Sequence, residues 1–221
     1  RSDVVDMGDC DRVRQWAVAS GVAVLGVNAM VGLGWVQAGK SIYAGPKLLW
    51  LSHASGGLMF GFGMVLASGC GSKTLVRIGG GNLKSVVVFV VLGIAAFATL
   101  RGIAGVARVA TVDRIAVEWG RTQDLPTLLA TSLGLARPMA ALLLGGAVGG
   151  ALVLWALLRA EGRSRDVLLG GVGIGAVIAA MWWVSGRLGY VAEDPNTLQE
   201  AFVATNSQRM ESLSFVAPIA Y

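Results

Sequence analysis

The feature that most constrains this chain is a series of long runs without a single charged residue. Such runs cover residues 15–39, 48–72, 85–100, 138–158 and 167–186. A helix needs about 20 apolar residues to cross the hydrocarbon core of a bilayer. Because these runs are apolar all round rather than on one face, they predict membrane-buried helices. We expect hydrophobic segments at about 16–36, 48–68, 85–100, 138–158 and 167–186, and the sequence allows a sixth that begins near Ser214.

The composition excludes several other classes of protein. Apolar residues make up 55% of the chain and charged residues only 14%, against about 25% charged in an ordinary soluble domain. A disordered tail, a basic nucleic-acid-binding domain and a disulfide-built secreted scaffold are all incompatible with these values. The runs also lack the alternation of a membrane β-barrel. We therefore expect an all-α, polytopic membrane protein with one domain over residues 1–221, resident in a lipid bilayer.

The basic residues lie at the ends of the apolar segments. Arg12, Lys40, Arg101, Arg137 and Arg159 are examples, and this placement is typical of membrane proteins rather than of nucleic-acid binders. The numbers of Lys and Arg on the two sides are balanced, so they do not orient the chain. Between the segments we expect a polar loop at 1–15, an interfacial helix plus a loop at 101–137, a charged turn at 159–166 between antiparallel neighbouring helices, and a polar loop at 190–209.

The most informative stretch is rich in glycine. Gly69, Cys70, Gly71 and Ser72 stand in succession, followed by a short basic stretch and a second glycine run at 79–81. Irregular backbone at membrane depth is tolerated only where it is buried in protein or lines a cavity. We therefore expect a broken or re-entrant segment here. A helix that starts near Ser72 would direct its free N–H groups and positive dipole end at the turn, which favours an anion.

Cys70 is the leading candidate ligand in this stretch. A thiol at such a turn is either a thiolate or an S–H donor, and it would hold an anion without trapping it. Lys73 and Arg77 would add positive potential. His53 is the only histidine, and an ionisable group in a membrane segment is a functional hypothesis by default. For each of these residues a purely structural role stays open: packing for Cys70, interfacial charge for the two cations, a satisfied polar side chain for His53.

Other chemistry is not indicated by the sequence. The glycine run at 79–81 does not have the pattern of a phosphate-binding loop, and no Ser/His/Asp or paired-carboxylate arrangement is visible. Cys10 lies in a polar, acidic stretch and is a weak candidate for any role. We expect no metal, no cofactor and no nucleic-acid partner.

Residues 56–71, continuing through 75–85, resemble the signature of the YeeE/YedE family of bacterial sulfur-compound or thiosulfate transporters. The resemblance implies a multi-pass inner-membrane protein of two inverted halves, each with a Gly-Cys-type motif whose cysteine binds thiosulfate on its way inward. Cys70 matches the motif cysteine of the first half, and Gly69 and Gly71 match its flanking residues. No second motif follows, since residues 170–175 have the glycines but no cysteine. This departure and the termini, Arg1 and an apolar run cut at Tyr221, lead us to expect a piece of a longer protein, about one half and part of the other.

The function expected from the residues and the resemblance together is transport rather than catalysis. We expect an inner-membrane permease for thiosulfate or a related small sulfur anion. A cytoplasmic sulfur-carrier protein is a candidate partner by analogy with the family. One alternative is a membrane enzyme resembling a sulfurtransferase, with Cys70 as the sulfur acceptor, and another is a membrane subunit that transports nothing. The expected substrate-binding set is Cys70, Gly69, Gly71, Ser72, Lys73, Arg77 and His53.

Overall fold

The computed structural model describes residues 11–118, 120, 122–194 and 198–214, and helices dominate it. The helices, in chain order, are α1 (Asp11–Gly32), α2 (Trp50–Leu66), α3 (Gly71–Gly79), α4 (Leu83–Leu100), α5 (Ile103–Ala110), α6 (Leu125–Leu133), α7 (Arg137–Leu157) and α8 (Arg165–Trp183). Two antiparallel pairs of very short strands accompany them: β1 (Lys47–Leu48) with β2 (Val117–Glu118), and β3 (Tyr190–Val191) with β4 (Ala201–Phe202). Short 3₁₀ helices lie at Ala38–Lys40, Val112–Arg114 and Ala160–Arg163, and a π-helix at Val184–Leu188.

Five stretches of helix in the described residues are long and apolar enough to cross a membrane. Each overlaps one of the five expected segments, although the second runs on to Gly79 instead of ending near 68, and the all-α polytopic fold class is confirmed. They are Arg12–Gly32, Trp50–Gly79, Leu83–Leu100, Arg137–Leu157 and Arg165–Leu188. A second boundary differs from expectation: residues 11–15, expected as loop, belong to α1, because polar residues with good helix propensity continue a helix past its apolar part. Cys10 and the apolar run after Ser214 lie outside the described residues.

The chain divides into two compact units, which we describe separately. The first unit comprises the described residues of Arg1–Gly45 and Thr122–Leu213, and the second those of Pro46–Arg121 together with Ser214.

In the first unit, α1 is the helix against which α7 and α8 both pack. Gly171 lies against Val18 and Gly26 against Ala179, so α1 and α8 run in the same direction. Helix α7 runs the opposite way, because Gly21 meets Gly149 and the later Gly32 meets Leu142. The turn between α7 and α8 therefore joins antiparallel helices, as expected, but each packs on α1. Glycine is the contact residue because it lets helix backbones approach closely.

An ion pair connects the starts of α6 and α7 in this unit. Asp124 caps α6, accepting hydrogen bonds from Thr127 N at 3.2 Å and Thr127 Oγ1 at 2.7 Å. Arg137, the first residue of α7, donates from Nη2 to Asp124 Oδ1 at 3.1 Å and Oδ2 at 3.2 Å. Burial favours the neutral acid, but hydrogen bonds from Thr122 and Thr127 and the charge of Arg137 outweigh it. The pKa of Asp124 is therefore lowered. The pair sets the entry into α7.

In the second unit, long helices expose much of their surface. Leu58 of α2 is 76% exposed, and a Cβ built on Gly57 or Gly61 would meet no atom within 4 Å. The surface of α2 is thus open to lipid or to protein outside the described chain. Helix α5 and the 3₁₀ helix Val112–Arg114 occupy part of the stretch expected as interfacial helix and loop.

Candidate functional site

The helix break expected in the glycine-rich stretch is present between α2 and α3. Helix α2 ends at Leu66, and the amide of Gly69 donates back to the carbonyl of Met64 at 3.0 Å. Ser68 has a φ of 56°, in the left-handed region that terminates helices. Cys70 is extended, with φ −81° and ψ 174°, and is the residue from which α3 begins. The chain therefore re-starts a helix immediately after the thiol.

Cys70 is surrounded by polar groups of the first turn of α3. Its Sγ lies 3.0 Å from Ser72 Oγ, and its side chain does not cap the helix. Its carbonyl accepts from Thr74 N at 3.0 Å and from Thr74 Oγ1 at 3.1 Å. Since the first helical hydrogen bond starts at Thr74, the amides of residues 71–73 have no helical carbonyl to bind. The half-buried sulfur, a hydroxyl and these amides form a set of groups suited to an anion.

The two glycines beside Cys70 have different roles. A Cβ built on Gly69 would lie 2.8 Å from Lys73 Cδ and 3.1 Å from Lys73 Cβ, so a larger residue there would make the Lys73 side chain shift. Gly71 is buried, yet a Cβ there would meet nothing within 4 Å. A side chain at position 69 would therefore displace Lys73, whereas one at position 71 would displace nothing.

Two cations extend from the same short helix. Lys73 and Arg77 are four residues apart in α3, so they lie on one face. Neither side chain forms a hydrogen bond or an ion pair with any described residue. Their charge is thus uncompensated close to the thiol, which favours the approach of an anion.

His53 does not lie in this cluster. It is an exposed residue of the first turn of α2, and α2 continues to Leu66. At 1.5 Å per residue, this length of helix separates it from the break by about 20 Å. The structure therefore brings together Gly69, Cys70, Gly71, Ser72 and Lys73 with Arg77 nearby, and leaves the histidine at the far end of the preceding helix.

Two residues that support the break were not singled out from the sequence. Thr74 is buried and holds the Cys70 carbonyl with both its amide and its hydroxyl. Asn82 Oδ1 accepts from Lys84 N at 3.1 Å and caps α4. The signal for Asn82 was present, since Asn directly before an apolar run is a preferred N-cap. Among the described residues, no group of three or more His, Cys, Asp or Glu side chains could hold a metal ion.

The chain is a multi-pass helical membrane protein whose helix break places a thiol beside a hydroxyl, and broken helices of this kind recur in membrane transport proteins. A family profile described as sulphur transport matches residues 2–216 of the 221, and the chain belongs to this family, the YeeE/YedE family. Neither the curated proteins nor the solved structures contain a match to it. Membership supports a role in sulfur-compound transport and fits a protein that is not an enzyme.

Proposed function

We propose that this chain forms part of an inner-membrane permease for thiosulfate or a closely related small sulfur anion, with Cys70 as a relay ligand at the helix break. The observation that carries the proposal is the position of Cys70 Sγ, 3.0 Å from Ser72 Oγ and at the start of α3. The sulfur therefore stands among donors rather than in an apolar packing environment.

The physical argument starts from the cost of removing water from an anion. A divalent anion loses a strongly bound hydration shell when it enters a membrane protein, so several donors must replace that shell together. The hydroxyl of Ser72 and the amides at the start of α3 supply neutral donors, and Lys73 and Arg77 supply positive potential. The thiol of Cys70 adds a soft, polarisable contact suited to the terminal sulfur of thiosulfate.

Passage also requires that the anion leaves. A site must bind well enough to admit its substrate and weakly enough to release it. A cysteine meets this requirement better than a lysine or arginine at the same position, because a neutral thiol forms no ion pair that must be broken. The two cations lie further along α3, where they attract the anion without enclosing it.

The alternative in which Cys70 accepts a sulfur atom as an enzyme has less support. Such a reaction needs an acid or base close to the sulfur, and the group hydrogen-bonded to Sγ is the hydroxyl of Ser72. The histidine considered for this role lies about 20 Å along α2 by the rise of the helix. No observation specifically favours a subunit without transport activity.

The test is uptake of ³⁵S-thiosulfate by cells that lack other routes for sulfur uptake. Cells carry the full-length protein as wild type, Cys70→Ala, Cys70→Ser or Ser55→Ala, with membrane expression matched. Ser55 lies within α2 and bonds to the carbonyl of Ser52, so its variant controls for loss of a small polar group away from the break. We expect wild-type and Ser55→Ala uptake to be alike and both cysteine variants to lose most uptake. Equal uptake by all four would refute the relay role. No uptake by wild type would refute the substrate.

The inner-membrane location and the transfer of sulfur to a cytoplasmic carrier protein belong to the same proposal. Membrane fractionation of the producing bacterium tests the first. Co-purification of a sulfur-carrier protein that depends on intact Cys70 tests the second.

A further inference from the structure

A polar cavity lies in the first unit and is formed entirely by residues of that unit. Its volume is about 100 Å³, and one water molecule needs only about 10–15 Å³ by the same measure. The cavity therefore has room for an anion of a few heavy atoms. The side chains that matter for its chemistry are those of Lys40, Arg187, Tyr190 and Trp35.

The walls of the cavity come from elements held firmly together. Arg187 belongs to the π-helix Val184–Leu188 that continues α8, and π-helical turns are frequent at functional sites. The amide of Val203 donates to the carbonyl of Gly189 at 2.8 Å, and Tyr190 pairs with Phe202 in the β3–β4 ladder. This ladder fixes the segment that carries Glu200.

Met210 forms a second side of the cavity. Its amide donates to the Lys40 carbonyl at 3.4 Å, and its carbonyl accepts from Ile42 N at 3.1 Å. A Cβ on Gly186 would lie 2.5 Å from Met210 Sδ, so this glycine allows the methionine to pack against the π-helix.

The carboxylate of Glu200 does not line the cavity itself, but it contacts two side chains that do, Lys40 and Tyr190. It forms an ion pair with Lys40 Nζ and accepts a hydrogen bond from Tyr190 Oη at 3.1 Å. Lys40 Nζ also lies 4.7 Å from the centre of the Tyr190 ring. The hydrogen bond with Glu200 raises the pKa of Lys40, and the one with Lys40 lowers the pKa of Glu200, so the pair is charged at neutral pH.

Arg187 is the second cationic side chain that lines the cavity. Within the described part of the chain its side chain has no hydrogen bond and no ion pair. The cavity is thus lined by two cations and one phenol, and the Glu200 carboxylate is bound to one of the cations and to the phenol. The Glu200 side chain is 51% exposed and that of Lys40 28%, so the carboxylate can turn into solvent at little cost.

We infer that this cavity is a binding site for a small oxyanion, and that the oxyanion competes with the Glu200 carboxylate for Lys40 and Tyr190. The oxyanion takes over the contacts of Glu200 with Lys40 and Tyr190 and gains the guanidinium of Arg187, whose planar donors suit a pair of oxyanion oxygens. Since α1 and α8 run in the same direction, residues 34–40 and 184–190, which follow them, lie at the same membrane face. Cys70 is not among the residues that line this cavity.

The oxyanion group can come from two sources, a soluble anion or the phosphate of an anionic lipid headgroup. The test is equilibrium binding of ³⁵S-thiosulfate to the purified full-length Cys70→Ala protein in nanodiscs, with phosphatidylcholine alone or with phosphatidylglycerol added. If phosphatidylglycerol inhibits thiosulfate binding, and this inhibition depends on Arg187, the lipid headgroup is the occupant of the cavity. Binding that is unaffected by this lipid identifies the soluble anion.

The variants in the same background are Glu200→Gln, Lys40→Gln and Arg187→Gln. We expect Glu200→Gln to tighten thiosulfate binding roughly fivefold and each cation variant to weaken it by a similar factor, as for a solvent-accessible ion pair. Two variants control for charge loss outside the cavity: Arg209→Gln and Glu193→Gln, neither of which lines it. Circular dichroism and gel filtration confirm that each variant is folded.

Absence of saturable binding in folded Cys70→Ala protein would overturn the inference, as would equal binding by Lys40→Gln, Arg187→Gln and their controls, or weaker binding by Glu200→Gln. None of these results would affect the proposed role of Cys70, since that role is tested by uptake.

Discussion

Replacing Gly175 of α8 by alanine tests whether glycine contacts hold the first unit together. A Cβ at this position would lie 2.6 Å from the carbonyl oxygen of Ala19 and 2.7 Å from Val22 Cβ, both on α1. Ordinary contacts between carbon atoms are about 3.5–4.0 Å, so the two helices must separate by about 1 Å. The nearest obstacle is backbone, which cannot rotate away as a side chain does.

The cost follows from what is known of overpacking. Extra methylene-sized groups in a packed core cost about 1–3 kcal/mol, and alanine recovers up to about 1 kcal/mol through its higher helix propensity. We expect a net loss of about 1–2 kcal/mol. For a chain of this size each kcal/mol lowers Tm by about 2–4 °C, so Gly175→Ala should lower Tm by several degrees.

The matched control is Gly173→Ala in the same helix, since a Cβ there would meet no atom within 4 Å. Gly149→Ala and Gly150→Ala form a second pair in α7: the first Cβ would lie 2.7 Å from Leu25 Cγ and the second would meet nothing. Thermal unfolding of the purified protein in detergent, followed by circular dichroism, gives Tm for all four. Equal Tm for Gly173→Ala and Gly175→Ala, or a higher Tm for Gly175→Ala, would refute the packing argument.

Three further predictions concern the break and its surroundings. Gly69→Ala should reduce thiosulfate uptake severalfold because its Cβ would lie 2.8 Å from the Lys73 side chain, while Gly71→Ala should leave uptake nearly unchanged; equal uptake by both would contradict this. Asn82→Ala should lower the free energy of unfolding by about 1 kcal/mol through loss of the α4 cap, measured by detergent-SDS titration. Asp124→Asn should destabilise the protein at neutral pH. Because the pKa of Asp124 is lowered on folding, the difference from wild type should be constant above about pH 5 and shrink below about pH 4; a difference independent of pH to pH 3 would argue against it.

The sequence predicted the spanning helices well because one property, the absence of charge over about 20 residues, is sufficient to identify them. The sequence also located the helix break, because closely spaced glycines on both sides of a cysteine disfavour a continuous helix through an apolar run. It did not predict that α7 and α8 both pack on α1, because each of these helices is apolar on all sides and periodicity does not select a face. The sequence also did not reveal the cavity at Lys40. Arg187 and Tyr190 line this cavity, and Glu200 pairs with Lys40, although all three are about 150 residues away in the sequence.

Glycines with the same spacing in this chain have different environments, so spacing alone does not show which of them are packed against another helix. Gly171 and Gly175 have the same four-residue spacing as Gly57 and Gly61. The first pair lies against α1, whereas a Cβ on either member of the second would meet nothing within 4 Å.

The glycine before the helix break has a different environment from either pair. Gly69 directly precedes Cys70, from which α3 begins, and the amides of the first turn of α3 have no helical carbonyl to bind. The packing glycines of α8 meet atoms of another helix, α1, whereas Gly69 meets the side chain of Lys73 in the helix that follows it directly. In the proposed site, the substrate would be attracted by the nearby cations and would not be ion-paired to a neutral thiol at Cys70. That combination favours passage over permanent binding.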